Sequence, residues 1–310
     1  MTNLYGLGTA LITPFLDNGE VDFPALEQLL IRQIAAGVDY FVVLGTTAEA
    51  ATMTDEEKTS VRDYIVRFVE AHPSPVTHQP IPMVLGVGGN CTAQVVRQIN
   101  FLRDTLTQHF AAILSVCPYY NKPSQEGLFQ HFSAIAQASP IPVLLYNIPG
   151  RTGINMLPET VMRIYNAHPD KICGIKEASG NVEQIKRLIN LSSITHHQSQ
   201  TTHLLVISGD NGIAAELMQA GAAGLISASA NAFPEAFYQI VHAKDASLQA
   251  QYAEIVRLLF IEGNPAGVKT VLADMGLIGN YLRLPLVPNS PAIQAQLHAE
   301  TIRLQSCKKD

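Results

Sequence analysis

A lysine at the end of an apolar run is the residue of this sequence with the clearest chemical potential. The run Ile172–Ile175 is typical of a buried strand, and Lys176 and Glu177 follow it directly. Two interpretations are open. Either both charges are hydrated at a strand end, which is the ordinary state of a lysine, or the amine is kept neutral so that it can attack a carbonyl carbon.

The side chains that follow the other apolar runs favour the second interpretation. They are hydroxyls and one guanidinium, carried by Thr46, Thr47, Tyr119, Tyr120, Tyr146 and Arg151. The set contains no carboxylate pair and no histidine cluster, which disfavours a metal-dependent hydrolase. It fits amine catalysis, in which a neutral lysine condenses with a ketone and the resulting enamine attacks an aldehyde.

Four features at the strand ends fit steps of that chemistry. Burial in the strand would lower the pKa of Lys176, and the phenol of Tyr146 can transfer protons from the neighbouring strand. Backbone N–H groups at the Gly45–Thr47 turn can bind the carboxylate of a keto acid. Arg151 can hold a second carboxylate through two parallel hydrogen bonds.

Eight short apolar runs, separated by helix-like segments, must position these residues. They are Leu7–Thr13, Tyr40–Leu44, Pro82–Val87, Ala111–Val116, Pro142–Asn147, Lys171–Lys176, Leu204–Gly209 and Gly224–Ser229. Most are apolar throughout, which is typical of parallel strands covered on both faces. Between them, the segment Phe23–Gly37 ends at a glycine suited to a C-cap, and Thr54 with Glu57 forms a capping box.

This alternation predicts an α/β protein of the (β/α)8 TIM-barrel class, with its active site at the C-terminal ends of the strands. An open doubly wound sheet is the alternative, although no GxGxxG follows the first strand. Strand patterns stop after Ser229. We therefore predict a barrel over residues 1–230 and an appended C-terminal helical region over residues 231–310.

The composition predicts a folded protein that binds neither nucleic acid nor membranes. Hydrophobic residues make up 47% of the 310 residues, charged residues 15%, and the net charge is −6, which disfavours disorder and polyanion binding. The scattered cysteines Cys91, Cys117, Cys173 and Cys307 form no CxxC pair and predict reduced thiols in the cytoplasm. No export leader is expected at the N-terminus.

The polar segment 194–203 predicts a surface loop. It contains His196, His197 and His203 but no accompanying carboxylates. We interpret these histidines as hydrated side chains and not as metal ligands.

Five motifs in order along the chain resemble those of the dihydrodipicolinate synthase family, within the lysine-dependent pyruvate aldolases and lyases. They are GTTAEA, PYYNKPSQEGL, YNIPGRTG, GIKEASG and SGDN, and the resemblance extends from Gly8 to about Leu286. It implies condensation of pyruvate with L-aspartate 4-semialdehyde to 4-hydroxy-tetrahydrodipicolinate, an early step toward diaminopimelate and lysine. It also implies a cytosolic homotetramer, built as a dimer of dimers, that needs no metal or organic cofactor.

The resemblance implies catalytic roles for four residues. Lys176 would form the Schiff base with pyruvate. Tyr146, Thr47 and Tyr120 would form the proton relay, with Tyr120 reaching in from the neighbouring subunit of a dimer.

It also implies a set of substrate-binding residues. Thr46 and Thr47 would bind the pyruvate carboxylate, and Arg151 would receive the carboxylate of the semialdehyde. Gly209 and Ile226 match family positions that line the pocket with backbone groups. Sialic-acid lyases, which are similar, usually lack the arginine of YNIPGRTG, so the resemblance favours the synthases.

Departures from the family pattern affect regulation more than chemistry. Ala48 replaces a usual glycine and Gly267 a usual proline, and Glu49 is expected to hold its loop. Inhibited members bind lysine through positions that match Ala50, Asp55, Lys58 and Gln94 here, with Tyr119 retained. The charge of Lys58 would repel an incoming ammonium. We therefore expect weak or absent inhibition by lysine.

Three other functions remain open at this stage. The chain could be another pyruvate-dependent lyase, such as an N-acetylneuraminate lyase-like enzyme with a different aldehyde partner. It could be a non-catalytic barrel retained for binding, although the set of lysine, tyrosine, threonine and arginine is complete. It could be a metal-dependent hydrolase, which would require strand-end ligands that the sequence does not show.

Overall fold

Eight parallel strands follow one another in chain order around a closed barrel. The computed structural model describes residues 4–196 and 203–307, and only the backbone of residues 194–196 and 307. The strands are β1 (Gly6–Ala10), β2 (Tyr40–Val43), β3 (Met83–Gly86), β4 (Ala112–Val116), β5 (Val143–Asn147), β6 (Ile172–Glu177), β7 (Leu205–Ser208) and β8 (Gly224–Ser227). All eight predicted strands and the barrel class are confirmed, and the open sheet is wrong.

Fourteen α-helices accompany the strands within the described residues. They are α1 (Phe23–Ala35), α2 (Asp55–Ala71), α3 (Thr92–Phe101), α4 (Arg103–His109), α5 (Gln125–Ala138), α6 (Pro149–Thr152), α7 (Pro158–Ala167), α8 (Val182–His196), α9 (Ala214–Gln219), α10 (Pro234–His242), α11 (Ala246–Gln251), α12 (Ala253–Ile261), α13 (Ala266–Asp274) and α14 (Pro291–Cys307). Short 3-10 turns lie at Thr46–Ala48, Ala50–Thr52 and Ser229–Asn231. None of the described helices is long and apolar enough to span a membrane.

Helix boundaries follow the capping signals of the sequence. Thr54 Oγ1 accepts a hydrogen bond from the Glu57 N–H, and the Glu57 carboxylate accepts one from the Thr54 N–H at 2.9 Å, which completes the capping box before α2. Gly37, just after α1, has a φ of +79°, a conformation that glycine adopts without strain. Both predicted boundary signals are confirmed.

The chain forms two compact units. The described part of the first comprises residues 4–6 and 82–226. Within it, β4, β5, β6 and β7 pair in parallel, and the register aligns Tyr146 with Lys176 and Asn147 with Glu177. In this way β5 and β6 bring two of the predicted catalytic residues side by side.

The described part of the second unit comprises residues 7–81 and 227–307 and includes the C-terminal helices. The segment 234–261, predicted to be helical, forms three helices. Lys244 has a φ of +55°, and Asp245 caps α11 by accepting from the Leu248 N–H at 2.9 Å. Gly267 allows α13 to pack against α12, since a Cβ there would lie 2.4 Å from the Leu259 carbonyl oxygen. The predicted domain boundary at residue 230 stays a prediction.

The predicted loop over 194–203 is partly wrong, because α8 continues through His196. Its amphipathic pattern extends into the polar stretch, and hydrogen bonding along the helix outweighs the polar composition there. His197 lies outside the described residues, as does the rest of 197–202. No group of three potential metal ligands occurs among the residues that the structure describes.

A buried ion pair stabilises the second unit. Lys269 of α13 and Glu49, which follows the Thr46–Ala48 turn, are both 0% exposed, and Lys269 Nζ lies 2.5 Å from Glu49 Oε1. The ammonium also donates to the Tyr281 carbonyl at 2.9 Å and lies 4.1 Å from the centre of the Phe15 ring. The Arg283 N–H donates to Glu49 Oε2 at 3.1 Å. Glu49 therefore holds its loop, as expected from the sequence.

Burial lowers the pKa of Lys269 to about 8, and Glu49 opposes this shift. Removing one partner would leave the other charge buried without compensation. We expect Lys269→Met to lower the free energy of unfolding by about 3–5 kcal/mol, measured by chemical denaturation. Lys269→Met with Glu49→Gln should lose less, because neither charge is then unpaired.

A surface pair provides the matched control for this measurement. Lys58 Nζ lies 3.1 Å from Asp55 Oδ1 in a solvent-exposed i,i+3 pair, and Lys58→Met should change the stability by less than about 1 kcal/mol. If Lys269→Met were no more destabilised than Lys58→Met, the buried pair would not have the structural role assigned to it.

Candidate active site

Lys176 is buried at the end of β6, not hydrated. The side chain is 8% exposed. Burial is the main reason that the pKa of its amine is lowered to about 7, and the positive charge of Arg151 lowers it further. A substantial fraction of this amine is therefore neutral near pH 7. The interpretation of Lys176 as a solvated strand end is wrong.

Tyr146 lies directly beside this amine. It occupies the position on β5 that pairs with Lys176 on β6, and its ring centre is 4.4 Å from Lys176 Nζ. The side chain is buried, so its ring lies against the amine in a site largely shielded from water. This geometry suits a group that transfers protons to and from an adduct on the lysine.

Gly209, just after β7, leaves room for the lysine side chain. A Cβ built on Gly209 would lie 3.0 Å from Lys176 Cε and 2.6 Å from Ala178 Cβ. Its backbone N–H donates to the Glu177 carbonyl at 2.7 Å, which holds the loop against β6. Any side chain at position 209 would therefore displace Lys176 or the chain after it.

Arg151 lies in α6, the single helical turn that follows β5. Arg151 is exposed, and its positive charge nevertheless lowers the pKa of the Lys176 amine. A guanidinium in this setting can bind a carboxylate from solvent bidentately. The helical turn ends at Gly153, whose φ is +72°.

The sequence reasoning did not identify the partners of Glu177. Its carboxylate is 0% exposed. One oxygen accepts from the Ser179 N–H at 2.8 Å, and the other accepts from Asn147 Nδ2 at 2.8 Å and Gln184 Nε2 at 3.0 Å. Burial raises the pKa of Glu177, and these hydrogen bonds oppose that shift. The only signal in the sequence was an acidic residue directly after a predicted buried strand.

The two threonines belong to the second unit. Thr46 is exposed and Thr47 is buried, and both lie in the 3-10 turn after β2. Thr47 Oγ1 accepts a hydrogen bond from Asn264 Nδ2 at 2.9 Å. The positive φ of +57° belongs to Glu49 and not to Ala48, so alanine is tolerated where the family usually has glycine.

Two further predicted residues lie elsewhere in the first unit. Ile226 is buried on β8. Tyr120 follows β4 in a loop, with a φ of +74° and an exposed fraction of 89%. The structure thus brings together Lys176, Tyr146 and Gly209, with the charge of Arg151 close enough to act on the amine, and it leaves Tyr120 on the surface.

Comparisons with known proteins agree with this arrangement. A profile of the Dihydrodipicolinate synthetase family matches residues 3–303. A 4-hydroxy-tetrahydrodipicolinate synthase of Parabacteroides distasonis is 46% identical over 293 residues, covering 92% of each chain. One from Phocaeicola vulgatus is 44% identical, covering 93% of this chain and 92% of the relative.

Solved structures show the same likeness in three dimensions. The dihydrodipicolinate synthase of Acinetobacter baumannii, crystallised with pyruvate, superimposes with a TM-score of 0.85 at 38% identity, covering 96% of this chain and 97% of that one. The synthase of Thermotoga maritima gives a TM-score of 0.86 at 33% identity, covering 98% and 99%. With a buried strand-end lysine in a matching barrel, this chain belongs to the dihydrodipicolinate synthetase family.

Proposed function

We propose that this protein is a 4-hydroxy-tetrahydrodipicolinate synthase, a lyase that condenses pyruvate with L-aspartate 4-semialdehyde through a Schiff base on Lys176. The observation that carries the proposal is the amine of Lys176, which is buried, has a pKa of about 7 and lies 4.4 Å from the Tyr146 ring centre. Relatives with this activity in their names cover more than nine-tenths of the chain. Arg151 supports a substrate with a second carboxylate.

The first half of the reaction forms the nucleophile. Neutral Lys176 Nζ bonds to carbon 2 of pyruvate, and the carbonyl oxygen leaves as water with one amine proton and one proton from the site. The product is a cationic imine. It then loses a methyl proton, for which the adjacent Tyr146 is the proton-transfer group, and becomes a neutral enamine.

The second half forms the carbon–carbon bond and releases the lysine. The enamine carbon bonds to the aldehyde carbon of the semialdehyde, whose oxygen takes up a proton and becomes a hydroxyl group. The amino group of the semialdehyde then attacks the imine carbon and displaces Lys176 Nζ, which closes the ring. One water is released for each product formed, all of it in the first half.

The remaining roles follow from the motif match. Thr47 and Tyr120 complete the proton relay, and Tyr120 does so from a neighbouring subunit. Thr46 and Thr47 bind the carboxylate of pyruvate, and Gly209 and Ile226 line the pocket. The exposure of Tyr120, at 89% in the isolated chain, is consistent with a side chain that becomes buried only on assembly.

Assembly, location and regulation complete the proposal. The protein forms a homotetramer in the cytoplasm, and inhibition by lysine is weak or absent. Lys58, one of the positions expected to disfavour lysine, is paired with Asp55 at 3.1 Å. A cationic side chain at this position would repel the ammonium of an incoming lysine.

Trapping the imine tests the proposed function directly. Treatment with pyruvate and borohydride should add a reduced pyruvyl group to the peptide that contains Lys176, as seen by mass spectrometry, because hydride reduction of the imine leaves a stable carbon–nitrogen bond on the lysine. Lys176→Ala should give no adduct and should lose at least about 1000-fold in synthase activity. An adduct on another lysine, or none in the wild type, would exclude the proposal.

The lowered pKa of Lys176 predicts the pH dependence of imine formation. Only the neutral amine reacts, so the second-order trapping rate with pyruvate should fall about tenfold per pH unit below pH 7 and level off above it. Arg151→Ala should move the midpoint to higher pH, since it removes a positive charge that disfavours protonation. A midpoint above pH 9 in the wild type would mean that the amine is not desolvated in solution.

Gly209→Ala tests the space around the lysine. The added methyl would lie 3.0 Å from Lys176 Cε, so the amine should move away from its productive position. We expect kcat to fall by about 10–100-fold, while thermal unfolding shows a folded protein. Gly150→Ala is the control, because a Cβ there meets nothing within 4 Å; equal effects of the two substitutions would refute the steric argument.

A further inference from the structure

We infer that Asn147 and Glu177 form a positioning clamp, which holds Tyr146 at the correct distance from Lys176. This inference rests on the proposed function and deepens it. Neither residue of the clamp touches the substrate. Each lies next in sequence to a member of the reacting pair, and the two are joined by a hydrogen bond of 2.8 Å from Asn147 Nδ2 to Glu177 Oε2.

Strand geometry separates the clamp from the chemistry. The register pairs Tyr146 with Lys176, and in the next step it pairs Asn147 with Glu177. Because successive residues of a strand point to opposite faces, the reacting pair lies on one face of β5 and β6 and the clamp lies on the other. A hydrogen bond on the second face therefore sets the spacing of the side chains on the first.

The clamp is joined to the surrounding loops by neutral amide groups. Asn147 Oδ1 accepts from the Met156 N–H at 2.9 Å, and Asn147 Nδ2 also donates to Asn155 Oδ1 at 2.7 Å. Asn155 and Gln184 exchange two hydrogen bonds, at 2.8 and 3.1 Å, and Gln184 Nε2 donates to Glu177 Oε2 at 3.0 Å. The clamp thus connects the ends of two strands with the start of α8.

Burial makes this arrangement rigid. Asn147 and Glu177 are both 0% exposed, so a donor or acceptor that lost its partner would not be compensated by water. The Glu177 carboxylate accepts hydrogen bonds from three neutral donors, and few other side-chain orientations at this site would provide it with three. Displacements of about 1 Å between reacting groups can cost about 100-fold in rate, so this rigidity bears directly on proton transfer by Tyr146.

The polarity of the clamp provides the test. In Glu177→Gln, the NH2 of the new amide must face either the Ser179 N–H or the NH2 groups of Asn147 and Gln184. In both orientations two hydrogen-bond donors face each other and one bond is lost. In Asn147→Asp, two carboxylates meet. In the double variant the donor and acceptor are exchanged, and the side-chain amides of Asn155 and Gln184 can rotate to match. The double variant should therefore restore what each single variant loses.

Two readouts separate positioning from general structural support. The yield of borohydride trapping, after equilibration with saturating pyruvate, reports how much imine forms on Lys176, and this yield does not depend on the rate of proton transfer by Tyr146. Exchange of the pyruvate methyl protons with deuterated water, followed by NMR, reports proton transfer at the adduct and depends on Tyr146. For Glu177→Gln we expect a trapping yield within about twofold of the wild type and exchange slowed about 10–100-fold.

Asn147→Asp with Glu177→Gln should return the exchange rate to within about threefold of the wild type. The control is Gln125→Leu. Gln125 Oε1 accepts from the Leu157 N–H and from Thr160, and Gln125 Nε2 donates to the Asn155 carbonyl at 2.8 Å. This amide braces the same loop without touching the clamp, so its loss should leave exchange unchanged.

The outcomes distinguish this inference from the proposed function. Absence of any adduct on Lys176 in the wild type would refute the proposed function itself. With the adduct present, wild-type exchange in a folded Glu177→Gln would overturn the clamp. If Glu177→Gln does not fold, the double variant decides, because a folded double variant that cannot exchange the methyl protons overturns the clamp as well.

Discussion

Desolvation of one amine is the constraint on which the site depends. Lys176 is largely shielded from water, at the end of a strand whose preceding residues are apolar. The protonated form loses its hydration there, and the charge of Arg151 disfavours it further. The neutral form, which is the nucleophile, is therefore available near pH 7. In a protein that did not use the amine, the same burial would only cost free energy of folding.

The lysine can hold this position only if the residues around it have a particular size and chemical type. Gly209 leaves space beside the side chain, since a Cβ there would lie 3.0 Å from Lys176 Cε, and Tyr146 supplies a phenol from the adjacent strand. The opposite face of the same strands contains a saturated network of amides around a buried carboxylate. Successive residues of β5 and β6 point to opposite faces. The same two strand ends therefore place Tyr146 and Lys176 on one face and the hydrogen-bonded Asn147 and Glu177 on the other.

Sequence patterns predicted the elements well where the signal was local. The apolar runs identified every strand, the Thr54–Glu57 capping box marked the start of α2, and Gly37 marked the end of α1. Where periodicity could not show an interruption, the prediction stayed coarse: the stretch 234–261, predicted only as helical, is divided into three helices, and Lys244, with a positive φ, lies between the first two. Polarity likewise suggested a loop from residue 194, where α8 still continues.

The sequence by itself determined the barrel, its strand order and the chemical types at the strand ends, because hydrophobic periodicity and short motifs are local properties of the chain. Only the tertiary structure decided which charges are buried and what satisfies them. Glu177 meets Asn147 across 30 positions, and Lys269 meets Glu49 across an even longer separation. Burial and hydrogen-bond partners arise from packing between distant segments, and no periodicity along the chain encodes them.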